Sequence, residues 1–178
     1  MIVLAQAGTG TARNAHAYST IAATYLARKG VSPAGGGAVM CLAYAARPST
    51  QDVDALFRPP GEVREAAARV AARAGIGPDW LNDGVKGFVS AQGDFAPFLE
   101  LDHLRVMVAQ PEYLLAMKCL AMRIGAEFHD EDDVRYLLRQ LDVRSYQRAL
   151  DIITKYYPFE RFPQKTLYAL AELLPAGR

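Results

Sequence analysis

Residues 35–57, GGGAVMCLAYAARPSTQDVDALF, constrain this chain more than any other stretch. Gly35, Gly36 and Gly37 open it. Glycines let a backbone turn tightly and approach a phosphate with no Cβ in the way. An apolar run with helical character follows over residues 39–46, and Pro48 ends it, because a proline drives the residue before it out of the helical region. Residues 50–57 then read as a strand that carries Asp52 and Asp54. Carboxylates at i and i+2 on a strand point to one side of the sheet, and Val53 and Ala55 point to the other. Oxygen ligands gathered on one face suit Mg²⁺, which is commonly held by one or two carboxylates together with substrate phosphates.

The whole chain has 178 residues, enough for one domain with a sizeable core. Its apolar content of 51% and charged content of 22% are those of a folded globular protein. A net charge of +1 argues against a basic footprint over the whole surface and leaves room for a local one. Basic residues do recur locally, with Arg64, Arg69 and Arg73 along one expected helix and Arg135, Arg139, Arg144 and Arg148 along two others. Solvated helix faces account for them. The two cysteines, Cys41 and Cys119, sit in apolar helical patterns with no CxxC partner, so they read as buried thiols in a reducing compartment. The apolar start of the chain is too short for a signal peptide, and no apolar run reaches the ~20 residues of a membrane span. A cytoplasmic protein with no membrane partner is expected.

Taken in order, residues 17–29 read as a helix stopped by Gly30, and residues 31–34 as the strand that feeds the glycine turn. Pro33 makes that strand short or places it at an edge. Residues 58–61 read as a loop, and residues 62–74 as a helix capped by Gly75. Residues 77–83 form a turn leading into a short helical piece, with Trp80 as a core plug. Phe95–Leu101 and Leu104–Ala109 read as two strands of a hairpin around Asp102 and His103. Residues 111–125 form the second informative helix, opened by Pro111, with Leu114, Leu115, Leu120, Ala121 and Ile124 as its buried stripe. Lys118 stands in the middle of it and either snorkels to solvent or reaches into a site. An acidic run, Asp130-Glu131-Asp132-Asp133, precedes a helix over residues 134–141. Asp130 is a natural N-cap there, and Asp133 serves either the helix end or a site. Ser145 caps a helix running to Tyr157, and residues 163–174 form the last one.

The stretch at 35–57 resembles the minimal nucleotidyltransferase superfamily, whose signature is a Gly-Gly or Gly-Ser turn, a short helix and Asp-x-Asp on a strand. Within it the chain is similar to bacterial AbiEii-related proteins, the nucleotidyltransferase toxins of abortive-infection and toxin-antitoxin systems. The resemblance spans residues 35–141. It places Gly36 and Gly37 at the family turn and Asp52 and Asp54 at its metal ligands. It also covers Arg47-x-x-Thr50, the Asp79-Trp80-Leu81-Asn82 segment and the helix around Lys118. What it implies is a nucleotidyltransferase fold, Mg²⁺ (with Mn²⁺ as a substitute), a nucleoside triphosphate donor and an RNA or protein acceptor. Gly36, Gly37, Arg47, Thr50 and Lys118 would contact the nucleotide, Lys118 by offsetting phosphate charge. Asp130-x-x-Asp133 matches the carboxylate spacing of the family's Arg/Lys-Asp-x-x-Asp pattern, with His129 where the basic residue is expected. A third carboxylate would come from Asp102 or Asp133. An antitoxin protein is an implied partner.

The expected fold is therefore α/β (α+β): a small mixed sheet with flanking helices over residues 1–110 and a helical part over residues 111–178 packed on it. The expected activity is transfer of a nucleoside monophosphate, with Asp52, Asp54, Lys118 and Asp133 as catalytic residues. The alternative is a degenerate transferase that binds or regulates a partner.

Overall fold

The computed structural model describes residues 3–7, 40, 53–101, 104–125, 128 and 130–174. The expected helix at 17–29, the strand at 31–34, the glycine turn and the first part of the carboxylate strand lie outside the described residues. Met40 alone represents the expected helix at 39–46; it is helical and fully buried. The protein is of mixed α/β class, with five strands and five α-helices among the described residues. It divides into two compact units, one built from Met1–Lys86 and Phe95–Val108, the other from Gly87–Asp94 and Ala109–Arg178.

The first unit is organised by a sheet of β1 (Val3–Ala7), β2 (Val53–Arg58), β3 (Leu81–Asn82), β4 (Phe95–Leu101) and β5 (Leu104–Ala109), in the order β3-β2-β1-β5-β4. β1 runs parallel to β2, with Val3 opposite Ala55, and antiparallel to β5, with Val3 opposite Val108. β2 runs parallel to β3, with Val53 opposite Leu81 and Asp54 opposite Asn82. Parallel neighbours need a crossover, and between β2 and β3 it is helix α1 (Pro60–Ala74). Alternation along β2 is clean: Val53, Ala55 and Phe57 are buried while Asp54 and Leu56 are half-buried. The buried three pack against Ala67, Val70 and Ala71 of α1 and against Trp80. Trp80 donates its indole N–H to the Ala67 carbonyl at 3.0 Å, so the lone tryptophan is a core residue with its polar atom satisfied.

Helix α1 starts at Pro60, two residues earlier than the hydrophobic period shows, because proline at the first helical position has no N–H to leave unpaired. It ends where expected. Gly75 takes the left-handed conformation, φ 65°, and its N–H bonds back to the Ala71 carbonyl. The turn over residues 77–83 holds a 3₁₀ turn, Pro78–Trp80, and then β3, a two-residue strand too short for periodicity to reveal. β4 and β5 have the boundaries read from the sequence.

The second unit is built on α2 (Pro111–Ala121), α3 (Asp130–Gln140), α4 (Tyr146–Ile153) and α5 (Gln164–Glu172). α2 stops at Ala121, four residues short of the expected Gly125, and Met122 turns out of helical geometry with ψ 123°. Its buried face differs accordingly. Tyr113, Leu114, Leu115, Ala116, Met117 and Cys119 are buried, whereas Ala121 and Ile124 are exposed. A helix buried on nearly every side has no single stripe for a pattern to find. α4 also ends early, at Ile153 rather than Tyr157, and the chain continues in turns. Those turns carry Tyr156 and Tyr157, whose rings lie 5.0 and 6.3 Å from the Tyr113 ring.

Gly87–Asp94 belongs to this helical unit for a physical reason. The Ser90 N–H donates to Tyr113 Oη at 2.9 Å, Ser90 Oγ donates to the Tyr156 carbonyl at 2.5 Å, and the Tyr157 hydroxyl donates to the Phe88 carbonyl. Helix α3 closes with a Schellman turn: the Val143 N–H reaches the Leu138 carbonyl at 2.8 Å, the Asp142 N–H reaches the Arg139 carbonyl at 3.1 Å, and Asp142 takes φ 50°.

Candidate functional site

Two groups of candidate residues are described, one in each unit. In the sheet unit Asp54 projects from the face of β2 opposite the Val53–Ala55–Phe57 core. Its ladder partner is Asn82. Asn82 Oδ1 accepts the Gly84 N–H at 2.9 Å, which fixes the amide. A Cβ at Gly84 would lie 3.1 Å from Asn82 Oδ1, a tight contact, and 3.7 Å from Asp54 Oδ1, so both oxygens lie on the Gly84 side of the strand pair. Asp83, next in sequence, is committed elsewhere. It accepts from Lys86 and, at 2.6 Å, from Arg64, and the Lys86 hydrogen bond leads in holding its carboxyl below the ordinary range. Asn82 entered the sequence reading only within the Asp79-Trp80-Leu81-Asn82 segment and not as a candidate site residue; its place beside Asp54 is visible only once β3, whose second residue it is, is paired with β2.

In the helical unit Lys118 of α2 meets the first turn of α3. Its Nζ lies 2.7 Å from Asp133 Oδ2 and 3.4 Å from Asp130 Oδ1. The lysine side chain is 13% exposed and that of Asp133 2%. Asp130 and Asp133 are three residues apart, so one helix face presents both. Arg123 completes the group from the chain between the helices. Its Nε donates to Asp130 Oδ2 at 2.9 Å and its backbone N–H to the same oxygen at 3.2 Å. The guanidinium also lies 4.5 Å from the Phe128 ring centroid. Burial pushes the Asp130 carboxyl up, but the hydrogen bonds of Arg123 and the charge of Lys118 outweigh it and hold it below its ordinary value.

The cluster thus contains two cations and two carboxylates, which is how nearly buried charges are retained. Lys118 does not snorkel; its ammonium is drawn inward by the two aspartates. Asp133 is a partner of Lys118 and not a helix cap alone. An ammonium has three donors, and two aspartates engage it. Arg123 carries no sequence signal, since its partner lies seven residues away across a helix break.

Gly36, Gly37, Arg47, Thr50 and Asp52 lie outside the described residues, as do Asp102 and His129. Among the described residues no group of three His, Cys, Asp or Glu is placed to hold a metal ion. Cys119 is buried, and burial pushes its thiol up to about 12, so it is inert as a nucleophile. Among the described residues no helix is long and apolar enough to cross a membrane. Comparison with family models, with curated proteins and with solved structures finds no match.

Proposed function

We propose that the protein is a nucleotidyltransferase of the minimal, AbiEii-like type, with the corresponding fold. It would move a nucleoside monophosphate from a nucleoside triphosphate to a hydroxyl of an RNA, a protein or a small molecule, as a cytoplasmic toxin held by an antitoxin. One observation carries the reading: Asp54 stands half-buried on a strand whose alternate residues fill the core, with the Asn82 amide oxygen as its ladder neighbour. Oxygen donors of this kind fit Mg²⁺, which Asp52 and Asp54 would hold and which would supply charge stabilisation to the transferred phosphoryl group. Gly36 and Gly37 offer backbone N–H groups to the triphosphate, flanked by Arg47 and Thr50. Lys118, by the same resemblance, would offset phosphate charge, and Asp133 orients its ammonium from 2.7 Å.

A second reading, a non-catalytic module of the same fold that binds a partner, is favoured by the engagement of Lys118 with two carboxylates. Calorimetric titration with each of the four nucleoside triphosphates, with and without Mg²⁺, separates the two. The transferase binds one or more of them in a metal-dependent way that Asp54→Asn abolishes. No binding to any triphosphate sinks the transferase and leaves the partner module.

A further inference from the structure

Asp54 and Asn82 stand opposite each other on parallel strands, so both side chains leave the same face of the sheet. Neighbouring strands lie about 4.8 Å apart, which brings the two polar ends within reach of one small ligand. Both residues are half-buried. An amide beside a carboxylate ordinarily turns its NH₂ end toward it, because that end donates and a carboxylate only accepts. Gly84 prevents this. Its N–H donates to Asn82 Oδ1 at 2.9 Å, so oxygen and not nitrogen is the end turned to the Gly84 side. One point there, where a Gly84 Cβ would stand, lies within 4 Å of both Asn82 Oδ1 and Asp54 Oδ1.

Two acceptor oxygens on one side cannot bond each other; a donor or a cation matches such a pair. The turn at Gly84 accounts for one lone pair of the Asn82 oxygen, and an amide oxygen has two. Gly84 itself puts no side chain into the space beside both oxygens. A carboxylate and an amide carbonyl are hard oxygen donors, the kind that suits Mg²⁺ and Mn²⁺. Of the two carboxylates considered for a third ligand, Asp133 is engaged by Lys118 at 2.7 Å.

We propose that Asn82 Oδ1 is a direct ligand of the divalent cation assigned above to Asp52 and Asp54, a neutral third oxygen supplied by β3. The inference rests on the transferase reading, which supplies the two aspartates. A neutral ligand in that place leaves more of the cation's charge for a triphosphate than a third carboxylate does. Mn²⁺ is the probe, titrated into the full chain and followed by the electron paramagnetic resonance of the free ion. Trp80 fluorescence checks that the sheet unit is folded. The wild-type chain should bind Mn²⁺, and Asp54→Asn should lose it. Asn82→Ser keeps a hydroxyl for the Gly84 N–H but withdraws the ligand, and should weaken Mn²⁺ by about tenfold or more. Asn82→Cys should lose Mn²⁺ and gain Cd²⁺ relative to wild type by calorimetry, since only a side chain that touches the ion passes on a thiolate's preference for a soft metal. Undiminished Mn²⁺ binding in Asn82→Ser, or no gain of Cd²⁺ in Asn82→Cys, overturns the proposal. The transferase reading survives either result, provided that Asp54→Asn still loses the ion. A wild-type chain that binds no Mn²⁺ also overturns the proposal, and it removes the transferase's metal site as well.

Discussion

At the scale of single residues, Lys118 and Asp133 form the interaction most sensitive to change. Asp133 is 2% exposed, and Lys118 Nζ stands 2.7 Å from its carboxylate. Lys118→Met should destabilise the helical unit by about 3–5 kcal/mol, the usual consequence of removing one partner of a buried ion pair. Lys118→Met combined with Asp133→Leu should recover most of that loss, because an apolar pair of similar volume needs no compensation. Urea unfolding of the two variants decides it; equal losses in both would mean that the pair's packing, not its charge, holds the helices. The same variants bear on function. Lys118→Met should abolish triphosphate binding if the lysine contacts phosphate, whereas a lysine that only joins α2 to α3 should lose stability and keep whatever binding it has. The lysine's apolar neighbours on α2 were legible in the sequence, and so was the i, i+3 spacing of the two aspartates. Arg123 was not, because its contact depends on how the chain turns back after α2.

Elements were legible in proportion to how far they obey one local rule. Helix α1 follows a simple period and a glycine stop, and its end was read to the residue. Gly75→Ala should cost about 1–2 kcal/mol, since any Cβ is strained at φ 65°. No neighbouring atom lies within 4 Å of the position, so the loss measures backbone conformation alone. Ser145 was likewise legible as a cap, and its Oγ accepts the Arg148 N–H at 3.2 Å. Ser145→Ala should destabilise α4 by about 1 kcal/mol, and thermal unfolding by circular dichroism suffices to detect it. The misjudged ends have a common cause. α2 and α4 carry apolar residues past their last helical turn, because Met122 and Tyr156–Tyr157 are buried by tertiary contacts that do not need a helix. β3 was missed for the opposite reason: two residues have no period, and only pairing with Val53 and Asp54 makes them a strand.

At the scale of the whole molecule, the groups with shifted proton affinity among the described residues fall mainly in the helical unit, which gives its stability a predictable shape with pH. Asp130 has its folded pKa depressed below 3.8, so its contribution is fully present above that value and is lost as pH falls through the folded pKa. Cys119 has its folded pKa raised from 9.0 to about 12 by burial, and burial also raises Tyr157 and Tyr156 above 10.0. Each of these must stay protonated in the folded chain while the unfolded chain releases its proton. Their contributions are therefore intact below pH 9 and decline as pH rises above it, the thiol alone by about 1.4 kcal/mol per pH unit once the unfolded thiol has ionised. Trp80, the only tryptophan, reports on the sheet unit, whereas far-ultraviolet circular dichroism reports chiefly on the helices. Between pH 9 and 11 the dichroism midpoint in urea should fall faster than the Trp80 fluorescence midpoint. Cys119→Ala should flatten the dichroism slope by one proton's worth. If the two midpoints fall together throughout, the sheet and the helices unfold as one cooperative body, and a stability change measured at Lys118 would then extend to the strand that carries Asp54.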